Sequence, residues 1–533
     1  MTSRAPLDGL YAGLDVSTQS CKLVVIDVGA GETVHLDAVR YDDDLPAYET
    51  SEGTVRGLGE GVRESDPRMW IEAVDLLLGR LASAGVDPAA LRCVSVSGQM
   101  HGLVALDGDG DLARPRAKLW NDFSTLEECR LLTERVGGVD AMIREVGNTQ
   151  RAGYTAPKIL HMLRHEPEAY RRTATFLVVH NFINWYLTGG KDGGVAVLEP
   201  GDASGTALWS PVTGAWSKVV IDALDAGLAG KLPPVWPATA TIGAVGADLV
   251  ARFGLSPECR VDAGSGDNMY GALGTGNYAP GVVTVSLGTS GTAAAFTDEP
   301  FVDPTGAIAS YCDSTGHWLP LLCVSNLANG YKAVRETFGL GHREFDDLVA
   351  ASPPGNGGRL LVPWYEGERT PDVPLASPIQ LGFGVDDFVP EVLCRAVLEG
   401  HVLNLQAGFG GLPVEPDVIH LTGGLSVSAA WCRAIADIFE VEVVPVLGEG
   451  AALGAAIHAA WVWLRESGRD VSMAEVAGPF VVLDEARRTK PDAGCVAAHR
   501  VQKRLFRALT RRVRGLEGED PFEVRAELLR SEP

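Results

Sequence analysis

Residues 11–27, YAGLDVSTQSCKLVVID, place two aliphatic runs on either side of a short polar stretch. This predicts a strand, a tight turn at Ser17 to Ser20, and a second strand rich in Val and Ile. Residues 281–296, GVVTVSLGTSGTAAAF, repeat the arrangement around a Gly-Thr-Ser-Gly turn. Two such hairpins about half a chain apart predict a duplicated domain. After the first hairpin the pattern becomes helical. Ser65-Asp66-Pro67 supplies an N-cap and a first-turn proline, and Trp70, Ile71, Val74, Leu77, Leu78 and Leu81 follow at helical spacing, so one face is buried. Strands predicted over 92–97 and 260–263 run into the loops Gly98-Gln99-Met100-His101-Gly102 and Gly264-Ser265-Gly266-Asp267-Asn268. A strand, loop, helix and strand follow over 418–446. This alternation makes the class α/β.

Length sets the scale. A chain of 533 residues exceeds one compact core, so two domains, or three, are expected. The boundary is placed at Gly274-Thr275-Gly276-Asn277. It gives a first lobe over 1–276, a second over 277–465 and, where the chain turns polar, a C-terminal helical extension over 466–533 packed on the lobes. In that extension Val501, Leu505, Leu509, Val513 and Leu516 form the apolar face of a basic amphipathic helix, read as a packed element with a solvated Arg/Lys face.

Charge and cysteine usage then remove whole classes of function. A formal charge of −24 repels nucleic acid and anionic membrane over most of the surface. It does not exclude ATP, which backbone amides, a helix N-terminus and a metal ion can hold locally. The nine cysteines are scattered without a CxxC pair, the pattern of a reducing compartment. The opening MTSRAPLDGLYAGLD lacks the apolar stretch of a signal peptide, and no run approaches the ~20 apolar residues of a membrane span. A cytoplasmic protein is expected.

Four segments carry candidate chemistry. Asp15-Val16-Ser17-Thr18-Gln19-Ser20 gathers a carboxylate, three hydroxyls and turn amides, which suits phosphate with Mg²⁺ or its water beside the acid. Gly288-Thr289-Ser290-Gly291-Thr292 is a second turn of like chemistry. In Gly264-Ser265-Gly266-Asp267-Asn268 a strand end presents one carboxylate before a helix predicted over 269–273. From the residues alone, Asp267 is equally a helix cap or a general base. Leu421-Thr422-Gly423-Gly424-Leu425-Ser426 is a strand-to-helix turn whose glycines let a flat base approach the backbone, or else a plain β–α turn. The small-residue run from Gly448 through Glu449 and Gly450 to Ala456 lacks the Lys-Ser/Thr ending of a P-loop and reads as a close-packing device.

Taken in order, these segments resemble the FGGY family of carbohydrate kinases, in the actin-like ATPase superfamily, over residues 11–465. Gln99-Met100-His101-Gly102, Trp120-Asn121-Asp122, Tyr154-Thr155-Ala156-Pro157-Lys158, Gly266-Asp267-Asn268, Leu287-Gly288-Thr289-Ser290-Gly291 and Gly367-Glu368-Arg369-Thr370-Pro371 are most similar to its xylulokinase subgroup. The resemblance implies two RNase H-like lobes closing over an interlobe active-site cleft. It also implies ATP and Mg²⁺ as co-substrate and cofactor, and D-xylulose as acceptor. Asp267 is then the base. Asp15 holds Mg²⁺ through water, and Gln99, Met100, His101, Asp267 and Asn268 meet the sugar. Ser17, Thr18, Gly288, Thr289, Ser290, Gly423, Gly424 and Ser428 meet the nucleotide.

Partners are expected to be the small-molecule sugar and MgATP, with no nucleic acid and no membrane, in a monomer or homodimer. Three positions depart from the family pattern. Ser17 and Leu425 stand where most or many members have glycine, and Gly153 replaces an arginine that eukaryotic-type members direct at the sugar, with Arg151 the nearby candidate to replace it. The alternatives are a family kinase for ribulose, another ketose or glycerol, and an actin-like nucleotide-dependent binding protein without an acceptor.

Overall fold

The computed structural model describes residues 8–448 and 450–531. The first seven residues of the opening segment and Glu449 of the small-residue run lie outside the described residues. The chain forms two compact units, one of Met1–Tyr278, Thr297–Leu319 and Gly448–Val481, the other of Ala279–Phe296, Pro320–Leu447 and Val482–Pro533.

The first unit is built on a sheet whose hairpin comes from the aliphatic runs already noted. Among its strands and helices are β1 (Leu10–Val16), β2 (Ser20–Asp27), β3 (Glu32–Arg40), α1 (Pro67–Arg80), β4 (Leu91–Gly98), α2 (Thr155–His165), α3 (Val179–Leu187), β5 (Thr241–Ala244), β6 (Arg260–Asp262) and α4 (Asp267–Gly274). The strand order is β5-β6-β4-β1-β2-β3, with Ser265–Gly266 added to the end of β4. β1 pairs antiparallel with β2 and parallel with β4, aligning Asp15 with Ser97.

Alternate residues of these strands enter different cores. Leu14, Leu23 and Val25 pack with Met69, Trp70, Val74 and Leu77 of α1, whose N-cap is Asp66, accepting from the Arg68 amide at 2.9 Å. Tyr11, Val24 and Ile26 face the other way.

The second unit repeats the connectivity. Among its elements are β7 (Val282–Leu287), β8 (Gly291–Ala295), β9 (Leu321–Val324), α5 (Asn329–Phe338), α6 (Pro390–Phe409), β10 (Val418–Thr422), α7 (Ala429–Phe439) and β11 (Glu442–Leu447). β7 pairs antiparallel with β8, β8 antiparallel with β9, β7 parallel with β10, and β10 parallel with β11. The path β9-β8-β7-β10-β11 thus matches β3-β2-β1-β4-β6 in order and direction, the duplication that the two hairpins predict.

The chain then returns to the first unit as α8 (Gly450–Glu466), although the sequence boundaries count this segment with the second lobe. α8 supplies the core around Tyr11, Val24 and Ile26 with Ala452, Ala455, Ala456 and Ile457. It also lies flush on α4: a β-carbon on Gly454 would stand 2.0 Å from the Tyr270 carbonyl, and one on Gly274 would stand 2.0 Å from that of Gly450. The small-residue run is therefore a packing device for the helix that begins with Asp267.

After β12 (Val482–Leu483), which pairs with β11, α9 (Ala493–Val513) packs in the second unit through Val496, Leu505, Phe506 and Leu509. Val513 and Leu516 of the expected apolar face are exposed instead, because the buried stripe runs through Phe506 and ends before them. No helix among the described residues is long and apolar enough to cross a membrane.

Candidate active site

In both units the chemistry-bearing loops leave the C-terminal ends of the parallel strands, where open α/β sheets offer exposed backbone to ligands. In the first unit these are the ends of β1, β4 and β6. β1 delivers Asp15, which is nearly buried and held on both oxygens: Ser17 Oγ donates to Oδ2 at 2.5 Å and Ser97 Oγ to Oδ1 at 2.8 Å. The serine in place of the family glycine therefore turns inward as a donor to Asp15.

Thr18 accepts from Trp120 Nε1 at 2.9 Å and donates to Gln99 Oε1 at 3.3 Å, while Gln99 Nε2 donates to the Ser17 carbonyl at 3.3 Å. Gln99 is 1% exposed, so its amide serves as a brace for the turn. Trp120 had a place in a recognised segment but no role; its half-exposed indole stands beside this turn.

The next two residues of the β4 loop diverge. Met100 is buried, with its sulfur 3.3 Å from Asn268 Nδ2. His101 takes a left-handed backbone, φ 67°. Its Nδ1 lies 2.8 Å from the Gly205 carbonyl, which requires the proton on Nδ1. Tyr154 packs on the ring at a centroid distance of 4.5 Å, and its hydroxyl meets that of Tyr311 at 3.0 Å.

Asp267 is the first helical residue of α4; Gly266 holds the N-cap position, so the cap reading of Asp267 does not describe the fold. Asn268 Nδ2 donates to Asp267 Oδ1 at 3.0 Å. The carboxyl keeps a partly exposed face, yet its pKa is pushed up to about 8, first by burial and then by the negative charges of Asp15 and Asp202. A carboxyl raised this far holds its proton at neutrality and becomes a proton acceptor as it ionises around pH 8.

Behind these loops lies a buried polar network with no counterpart in the sequence reading. His180 Nδ1 donates to Asp202 Oδ2 at 2.7 Å, and Asn181 Nδ2, itself fixed by the Val197 carbonyl, donates to His180 Nε2 at 2.9 Å. Glu199 accepts from the amides of Gly201 and Asp202 and from Ser265, and burial pushes its pKa up to about 7. These residues come together from α3 and the segment 199–205, a juxtaposition that no local pattern announces.

In the second unit, Thr289 and Ser290 are exposed at the β7–β8 turn, and the Thr289 carbonyl accepts from the amides of Leu327 and Ala328 at 3.0 and 3.2 Å. Gly423 is exposed with φ 88°, and a β-carbon there would stand 2.6 Å from the Leu287 carbonyl, so the two loops lie against each other only through glycine. Gly424 is open to solvent. Leu425 points inward and is buried, leaving the loop surface as a third glycine would. Ser428 caps α7, accepting from the Trp431 amide at 3.3 Å and donating to Asp346 at 2.8 Å, so its hydroxyl is committed to the fold.

Arg151 does not replace the missing arginine in this conformation: its Nη2 donates to the Gly306 carbonyl at 2.9 Å. Gly153 has no room for a side chain, since a β-carbon would lie 2.2 Å from the Trp120 carbonyl. Among the described residues no cluster of three or more His, Cys, Asp or Glu side chains could hold a metal. One anchored carboxylate with hydroxyls suits Mg²⁺, which keeps most of its waters and takes its other ligands from phosphate.

The N-terminal domain of the FGGY family of carbohydrate kinases matches residues 10–274 and its C-terminal domain residues 283–463. A xylulose kinase of Streptomyces rubiginosus is 36% identical over 459 residues, covering 85% of this chain and 87% of that protein. The chain belongs to the FGGY family of carbohydrate kinases. A xylulose kinase of Haemophilus influenzae is 32% identical over 495 residues, 91% of this chain and 96% of that protein. A solved xylulose kinase from Bifidobacterium adolescentis superposes with a TM-score of 0.75 at 28% identity, covering 93% of this chain and all of that one. Both units are of the actin-like ATPase type, and ATP is the co-substrate of such a kinase.

Proposed function

We propose that this kinase transfers the γ-phosphoryl group of ATP to the terminal hydroxyl of D-xylulose, giving D-xylulose 5-phosphate and ADP. The observation that carries the reading is the carboxyl of Asp267 at the start of α4, beside Asn268, whose amide lies 3.3 Å from the Met100 sulfur of the His101 loop, with its pKa raised to about 8. The acceptor identity draws its support from the xylulose kinases that align over most of the chain.

In this reading the sugar hydroxyl gives its proton to Asp267 as its oxygen attacks the γ-phosphorus. The new O–P bond forms while the bond from that phosphorus to the β–γ bridging oxygen breaks, and the electron pair leaves with ADP. His101 Nε2 accepts from a sugar hydroxyl, and Asn268 orients both the base and the ketose. The nucleotide is assigned to the second unit, with Gly288, Thr289 and Ser290 at the phosphates and Gly423 and Gly424 at adenosine. Ser17, Thr18 and Gln99 form the turn that fixes Asp15. Mg²⁺ supplies positive charge against the phosphate oxygens when bound, and Asp15 would hold it through water. Phosphoryl transfer depends chiefly on such positioning and charge neutralisation. The nine free thiols support a reducing cytoplasm as its compartment.

The test is a panel of acceptors with MgATP, followed by coupled ADP detection. D-xylulose should give the highest kcat/KM. A higher value for ribulose or glycerol reassigns the acceptor, and ATP hydrolysis indifferent to every acceptor sinks the kinase reading.

A further inference from the structure

Lys158 is the fifth residue of a segment that the sequence singles out, and neither the base nor the phosphate assignments use it. Its side chain is wholly buried on α2, where burial lowers its pKa to about 7. Its Nζ donates to two backbone carbonyls, that of His101 at 2.8 Å and that of Gly153 at 2.7 Å. Thr155 Oγ1, one turn earlier on the helix, donates to the same His101 carbonyl at 3.3 Å.

The first of those carbonyls belongs to a residue in a strained conformation. A left-handed backbone is disfavoured for any side chain larger than hydrogen, and it persists at a histidine only where its surroundings enforce it. Lys158 and Thr155 grip the peptide that follows His101, while Gly205 holds the ring through Nδ1 and Tyr154 covers one face. The second carbonyl belongs to Gly153, which lies against the Trp120 backbone. One amine thus ties the His101 loop to the start of α2 beside the Trp120 segment. An amine donates two N–H groups whether or not it carries the third proton, so both bonds survive deprotonation.

We propose that Lys158 is a positioning residue for the acceptor, holding the His101 peptide in its left-handed conformation so that the imidazole presents Nε2 to the sugar. The inference rests on the reading of His101 as a sugar contact. Losing the amine frees the loop to relax to an ordinary backbone, which swings the ring away from the acceptor while the second unit's nucleotide loops are untouched.

The experiment compares Lys158→Met, His101→Ala and the double variant in the full-length enzyme, with D-xylulose and MgATP. Lys158→Met should raise the sugar KM about tenfold, the loss expected for one or two hydrogen bonds, with the ATP KM within about twofold of wild type. In the His101→Ala background the same substitution should move the sugar KM less than about twofold, because the ring it positions is gone. A purely structural lysine would instead lower the active fraction and Tm without that dependence on His101.

Should Lys158→Met not fold, Thr155→Val removes the weaker grip on the same carbonyl and should raise the sugar KM by a smaller factor; no change there overturns the proposal. An unchanged KM in Lys158→Met, or effects that multiply in the double variant, also overturns it while leaving His101 in place. If His101→Ala itself leaves the sugar KM unchanged, the site reading fails first, and the inference with it.

Discussion

A carboxyl whose pKa is pushed up to about 8 ties turnover and stability to pH in opposite senses at one residue. As the base, Asp267 must be ionised, so kcat/KM for the sugar should fall about tenfold per pH unit below about 8. For folding, the unfolded chain ionises this group near the usual value of about 3.9. Between that value and 8 the native state binds the extra proton, so stability from this group is full below about pH 4 and lost as pH rises to 8. Asp267→Asn keeps an oxygen to accept from Asn268 and removes the charge. It should lose about 10²- to 10⁴-fold in kcat while its Tm exceeds that of wild type by a margin that grows from pH 5 to pH 8 and then levels. Scanning fluorimetry across pH, beside steady-state rates, reads both. Near-wild-type turnover, or a Tm margin largest at pH 5, removes Asp267 from this role.

The loops carry the departures from the family pattern, and here the fold decides what a substitution does. Ser17 and Leu425 stand where a bare backbone is the rule, yet one donates to Asp15 and the other is buried, so neither side chain crowds the loop surface. Sequence shows that a side chain is present but not where it points. Gly153 illustrates the converse. Gly153→Arg installs the residue that eukaryotic-type members direct at the sugar, but its β-carbon would start 2.2 Å from the Trp120 carbonyl. Overpacking of this kind costs about 1–3 kcal/mol. The variant should therefore melt several degrees lower and bind D-xylulose more weakly, since the Trp120 and Lys158 contacts shift together. Tighter sugar binding at unchanged Tm would show that the Trp120 segment yields freely.

Across the whole molecule, what was legible in the sequence was whatever repeats locally. The two hairpins, the Asp66-capped helix and the strands before each glycine loop all follow from patterns a few residues long. The site's loops were legible for the same reason, as small residues with one carboxylate at strand ends. What long-range packing decides was hidden: α8 belongs to the first unit, Ser97 faces Asp15 across a register, and His180 meets Asp202. Small residues in α8 signal close approach without naming the partner.

The duplicated frame nevertheless makes a molecule-wide expectation, because each unit offers its own set of strand-end loops. If the sugar belongs to the first and the nucleotide to the second, each ligand alone should slow amide exchange in different places, since exchange reports local opening. D-xylulose alone should protect residues 100–102 and 267–270, the His101 peptide and the first turn of α4. A non-hydrolysable ATP analogue with Mg²⁺ should protect 288–291 and 423–426. Hydrogen–deuterium exchange of the full chain with each ligand separately measures this. Protection of 423–426 by the sugar alone, with none at 100–102, would reverse the assignment of the two units and leave Asp267 without an acceptor to deprotonate.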